Sequence, residues 1–194
     1  SKVINKSIGF MHFIIFELTK NTMKYFIFFF YFFLISNSVF SQKSITSFPE
    51  NAVGIYKGDL HISSSRGNQT IPMEFHLKAT KDSLRFNYVL MYNNSPRNYT
   101  LVVKDRVKGV YEVDENNGII LPSKFADNTL FSFFEVQGNL LSSRFAFYRD
   151  RLEFEILFTA LKNKIKTGGT SEKIPEVFGY PITTIQKAIL KKVD

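Results

Sequence analysis

His61 and His76 are the two histidines downstream of the N-terminal apolar region, and Glu74 precedes His76 by two residues. Residues two apart on a strand share a face, so Glu74 and His76 could offer two ligands to one metal ion. No third ligand accompanies them in the sequence. Strict alternation around Phe75 and Leu77 assigns both to a solvated outer face. Glu153 and Glu155 repeat the spacing, and a carboxylate pair can do acid–base work. The strand register derived below sets them opposite Ala146 and Arg144, which makes them surface charges. Ser132 and Ser143 share their face with no histidine, so neither has the base that a nucleophilic serine requires. Gly168-Gly169-Thr170 lacks the following Lys-Ser/Thr and the strand–loop–helix setting of a phosphate loop. The chain has no cysteine, which excludes disulfides, thiolate catalysis, cysteine-ligated metal and lipid attachment at a cysteine. Neither a catalytic site, nor a metal site, nor a cofactor is expected.

A second set of residues is suited to binding. Tyr88, Tyr92, Ser132, Phe134, Ser143, Phe145, Phe154 and Phe158 fall on apolar strand faces. Ligand cavities are mostly apolar, with a few polar groups that fix orientation. The phenylalanines could wall such a cavity, and the tyrosines and serines could supply its polar points. A filled core is the competing arrangement, because small barrels are often packed solid by their own side chains.

The elements that must position these residues are best defined between Thr129 and Ala160. Leu130–Gln137, Leu140–Tyr148 and Arg151–Thr159 are strand-length runs, separated by Gly138-Asn139 and Arg149-Asp150. Two-residue turns at those places make Val136 face Leu141, Phe134 face Ser143 and Ser132 face Phe145. The second hairpin makes Phe147 face Leu152, Phe145 face Phe154, Ser143 face Ile156 and Leu141 face Phe158. One face is then apolar except for the two serines. The other carries Glu135, Gln137, Arg144, Glu153 and Glu155. A slip of one residue would destroy that segregation.

Alternating runs recur upstream. Val53–Ser63, Thr70–Ala79, Ser83–Tyr92 and Tyr99–Lys104 read as strands, with a turn cluster at Asn93–Arg97 around Pro96. Gly109–Val113 and Ile119–Lys124 flank an Asn-Gly hairpin signal. Lys162–Tyr180 has no periodicity and reads as a long loop, of the kind that forms a lid, rim or strap. Ile182–Val193 fits both helical and strand spacing; its threonines and β-branched residues favour a strand. The expected fold is all-β: an antiparallel up-and-down barrel of about nine or ten strands, with a β-sandwich as the alternative.

The first 41 residues read differently. Met23, Lys24, the apolar run Tyr25–Ile35 and the small or branched Val39 and Ser41 follow the layout of a secretory signal peptide cleaved before Gln42. The run is about half the roughly 20 residues that span a bilayer. Residues 1–22 are then expected to be an upstream segment outside the native protein, 23–41 the signal peptide and 42–194 a single barrel domain. The ending resembles exported proteins of Gram-negative bacteria, which implies a periplasmic or secreted protein without stable membrane insertion. The formal charge of +8 comes partly from Lys2, Lys6, Lys20 and Lys24. The remaining basic residues form no stripe interleaved with aromatics, and nucleic-acid binding is not expected.

Taken together, a meander opening on Gly54-Ile55-Tyr56 resembles the lipocalin-like (calycin) barrels. In that family the third position is usually tryptophan, with a basic residue from the end of the barrel packed over it; here the aromatic is Tyr56, and Lys187 is the expected partner. The chain also resembles uncharacterised secreted bacterial proteins with a Gly-x-Tyr-x-Gly opening and a stretch like Phe134–Leu141. Haem-binding barrels of this general shape use a histidine near the chain end, and none stands there in this sequence. The resemblance implies a non-enzymatic barrel holding a small hydrophobic or lipid-like molecule. The alternative is a structural or interaction module of the cell envelope with a filled core.

Overall fold

The computed structural model describes residues 47–193. The expected upstream segment and signal peptide lie outside them. A short 3₁₀ turn, Glu50–Ala52, leads into β1 (Gly54–Ser64), β2 (Gly67–Ala79), β3 (Arg85–Tyr92), β4 (Ser95–Asp105), β5 (Val110–Asp114) and β6 (Ile120–Ala126). There follow β7 (Thr129–Val136), β8 (Asn139–Phe147), β9 (Arg151–Ala160), β10 (Ile165–Ser171), β11 (Ile174–Gly179) and β12 (Thr184–Lys192). Ten of these close an antiparallel barrel in which β1 to β9 run as a meander and β12 inserts between β9 and β1. Closure leaves no open sheet edge in the barrel and rules out the sandwich.

Alternation explains the core. Tyr56 and Leu60 on β1, Phe75 and Leu77 on β2, and Phe86 and Tyr88 on β3 are all buried, while their neighbours in sequence are more exposed. The pattern continues through Leu101, Tyr111, Leu130, Phe145, Leu152, Phe154 and Leu190. Gly58 faces the same interior where β12 passes close. A Cβ there would lie 2.7 Å from the Ile189 carbonyl oxygen, so the position admits only glycine without moving the backbone.

The register confirms one expected hairpin and corrects the other. Across β8 and β9, Phe147 faces Leu152, Phe145 faces Phe154, Ser143 faces Ile156 and Leu141 faces Phe158, as read from the sequence. Across β7 and β8, Phe134 faces Leu141, Ser132 faces Ser143 and Leu130 faces Phe145. The turn is Gln137-Gly138, not Gly138-Asn139. Both residues hold positive φ (49° and 74°), as a type I′ turn requires. The pairing moves by two residues, so every side chain keeps its face.

Two further expectations change, and one holds. β4 starts at Ser95, because the tight turn is Asn93-Asn94 with φ of 50° and 62°, and Pro96 sits within the strand. Residues 162–180 are not an irregular loop. They contain β10 and β11, a two-stranded hairpin that pairs with no other strand and is exposed along both faces. The strand reading of the final segment holds, since β12 completes the barrel.

Candidate functional site

The two ends of the barrel are built differently. One is closed by the segment that precedes β1, beside which an outward-opening hollow of about 370 Å3 remains between Asn51, Phe125, Phe147 and Tyr148. The ring of Phe48 stacks on Phe125 at 4.0 Å and meets Tyr111 edge-on at 5.1 Å, with Phe147 at 5.2 Å. The backbone of this plug is held from several sides. Tyr111 donates to the Phe48 carbonyl at 3.0 Å, and Tyr56 donates to the Ala52 carbonyl at 2.7 Å. Arg106 grips both carboxylate oxygens of Glu50 (2.8 and 2.7 Å) and donates to the Ser83 carbonyl at 2.7 Å. Burial pushes the Glu50 carboxyl upward, but its bonds to Arg106 outweigh this and hold it below the ordinary value. The Lys192 ammonium lies over the Tyr56 ring, 5.6 Å from its centroid. Lys187, the expected partner of Tyr56, instead pairs with Glu155 at 3.0 Å on the outer wall.

The other end holds a cavity of about 230 Å3. Six of the eight residues picked from the sequence line it: Tyr88, Ser132, Phe134, Ser143, Phe145 and Phe154. Its floor is aromatic, where Phe75 meets Tyr88 at 4.8 Å and Phe145 meets Phe154 at 4.9 Å. The other two residues fall outside it. Tyr92, near the end of β3, lies under the Arg97 guanidinium, 5.2 Å from its ring centroid. Phe158 lies near the end of β9, where the Thr183 amide of the returning chain donates to its carbonyl oxygen at 2.9 Å. It lines a separate hollow with Phe133, Leu140, Leu157, Tyr180 and Ile182.

The polar points of the cavity form a pattern. Ser123, Ser132 and Ser143 are direct neighbours on β6, β7 and β8, and each is buried to more than nine-tenths. The hydroxyls of Ser123 and Ser132 are 2.6 Å apart, and Ser123 also reaches the Leu121 carbonyl at 3.4 Å. Ser143 and Tyr88 bond to no other described residue. No fully enclosed side-chain oxygen or nitrogen among the described residues lacks a partner, so both hydroxyls owe their unmet capacity to the open space they line. Burial, with Tyr92 and Tyr99 close by, raises the Tyr88 phenol well above its ordinary value. Burial likewise pushes Tyr92 up to about 12 against the opposing influence of Arg97. These phenols therefore stay neutral at physiological pH and act as donors and acceptors. Arg97 and Glu115 add one charge of each sign to the lining.

Sequence reasoning missed Arg97, Tyr99, Glu115 and Ser123. Starting β4 at Ser95 would have exposed the alternation Arg97, Tyr99, Leu101. Pairing β6 with β7 would have set Ser123 beside Ser132. The catalytic-looking residues lie on the outer wall. Glu74 bonds His76 at 2.7 Å and Lys57 at 2.9 Å, His61 contacts the Thr70 hydroxyl at 3.0 Å, and Arg151 reaches Glu153 at 3.1 Å. Among the described residues no group of three His, Cys, Asp or Glu side chains converges. Comparison with protein-family models and with curated proteins finds no match.

Proposed function

We propose that this chain is an exported, non-enzymatic barrel of the lipocalin-like type that holds a small apolar or amphipathic molecule in its open half. The observation that carries this is the cavity, lined by aromatic and aliphatic side chains with a few hydroxyls, at the end opposite a sealed one. That is the composition of a ligand site. At about 230 Å3 the space is below the roughly 300 Å3 at which drug-sized pockets begin. The occupant is accordingly small, or one end of a longer molecule. The lipocalin-like reading draws further support from Tyr56, which stands where that family usually has tryptophan and carries Lys192, a basic residue from the last strand, over its ring.

The test is native mass spectrometry of protein purified from its own host, together with melting curves in the presence of a lipid panel. A retained small molecule and an upward shift in melting are expected. In Leu121→Trp, which fills the cavity from its wall, both should disappear. Protein that carries nothing, and whose melting no lipid moves, would end this reading. An interaction module is the second reading. It draws on Phe131 and Phe133, which point outward from β7 and are 41% and 65% exposed. The same spectra decide it, because a protein partner or a second copy would be seen as added mass.

A further inference from the structure

Resting on the ligand-binding reading, we infer that the cavity selects an uncharged amphipathic molecule, whose hydrogen-bonding end is taken by the Tyr88 and Ser143 hydroxyls. Both residues are more than nine-tenths buried, both line the cavity with hydroxyls accessible from it, and neither hydroxyl bonds to another described residue. They stand on different walls, β3 and β8, and both have apolar neighbours. Tyr88 packs against Phe75 and Phe145, and Ser143 precedes Phe145 by two residues on the same face. Both hydroxyls are accessible from the cavity rather than enclosed, so a hydroxyl or carbonyl on the ligand can bond to them directly at both sites. A hydroxyl group both donates and accepts, so the pair suits an alcohol, a ketone or an amide.

An ionic head fits less well. Tyr88 and Ser143 both offer neutral hydroxyls, so an ion held by them would exchange its water for two uncharged partners, and burying a charge unpaired is strongly unfavourable. The charged groups of the lining, Arg97 and Glu115, are of opposite sign. Their fields oppose one another, and the Arg97 guanidinium lies against Tyr92. Neither an anion nor a cation is favoured at that wall. Ser132 is already satisfied by Ser123 at 2.6 Å, which leaves Ser143 as the open member of the serine row.

The experiment uses three probes with one eight-carbon chain: 1-octanol, octanoate and octylammonium, titrated calorimetrically into the purified chain at neutral pH. Octanol should bind at least about tenfold more tightly than either ion. Tyr88→Phe and Ser143→Ala should each weaken octanol by about fivefold to tenfold, the equivalent of one hydrogen bond. Neither should lower the melting temperature, because each removes a cavity-facing hydroxyl that bonds to no other described residue. Equal binding of all three probes would overturn head-group selection and leave the ligand-binding reading standing. Octanoate bound best, with the gain lost in Arg97→Ala, would replace it with an anion site. Failure of every probe to bind would remove the ligand-binding reading together with this inference.

Discussion

At the sealed end of the barrel, aromatic rings meet within 4.0 to 5.2 Å of Phe48, and every enclosed polar atom has a partner. At the other end the same alternating strands leave about 230 Å3 unfilled, with two hydroxyls that bond to no other described residue. The wall is continuous between them, so strand geometry does not create the difference. Side-chain choice does. The sealed half places Tyr56, Tyr111, Phe125 and Phe147 inward at positions where the open half has Leu90, Val113, Ser132 and Ser143. Filling one half supplies the stability that allows the other to remain hollow, since each unfilled volume forfeits dispersion contacts.

The sharpest way to break this comparison is to truncate one residue in the packed floor of the cavity and one in its wall. Phe75 is fully buried and touches Tyr56, Tyr88, Phe145 and Phe147. Phe75→Ala should cost about 3–5 kcal/mol, from lost burial plus the new void. Ile156 already borders open space and is only partly buried. Ile156→Ala should cost about 1–2 kcal/mol, because part of the cavity term is already present in the native protein. Urea unfolding measures both. Equal losses would mean that the cavity wall is as tightly packed as its floor.

A smaller effect sharpens the role of the plug. Arg106 joins Glu50 before β1 to Ser83 before β3. Arg106→Ala should destabilise by about 1–3 kcal/mol, through lost charge-assisted hydrogen bonds. The pH dependence follows from the lowered Glu50 pKa. Unfolded, the carboxyl titrates near its ordinary 4.5; folded, it titrates lower. Its contribution is therefore fully present above the ordinary range and is lost as pH falls through the folded value. The melting difference between wild type and Glu50→Gln should be largest at neutral pH and shrink in acid. A difference that is constant with pH would show that the carboxylate charge contributes nothing to the plug.

How much of this was legible in the sequence depends on whether burial was one-sided. In β2 and β3 one face meets the core and the other meets water, so Met73, Phe75 and Leu77, then Phe86, Tyr88 and Leu90, announce themselves by alternation. The β8–β9 register could be derived because the turn Arg149-Asp150 and the face segregation agree. Arg97 was hidden by local chemistry: Asn93, Asn94 and Pro96 together read as a longer turn, although only the asparagines make it. Ser123 was invisible without its strand partners, because a serine row exists only across strands and not along one. The cavity is still harder to read, since its volume depends on how far each inward side chain reaches.

Residues 162–180 read as a loop for the same reason. Both faces of β10 and β11 are exposed, so no alternation marks them, and Gly168 and Gly169 sit at positive φ where the pairing is irregular. Their cross-strand contacts are internal to the hairpin: Lys166 pairs with Glu176, and the Lys164 ammonium lies 4.3 Å from the Phe178 ring centroid. Ile165 and Gly179 face each other at its base, so the chain ends are already side by side. Replacing 166–178 by Asn-Gly, a residue pair suited to so tight a connection, should change the stability of the barrel by no more than about 1 kcal/mol. Thermal melting of the shortened chain checks this. A large loss would place the hairpin among the elements that hold the barrel together. An unchanged melting temperature would mark it as an appendage, whose exposed Ile174, Val177 and Phe178 serve something other than the fold.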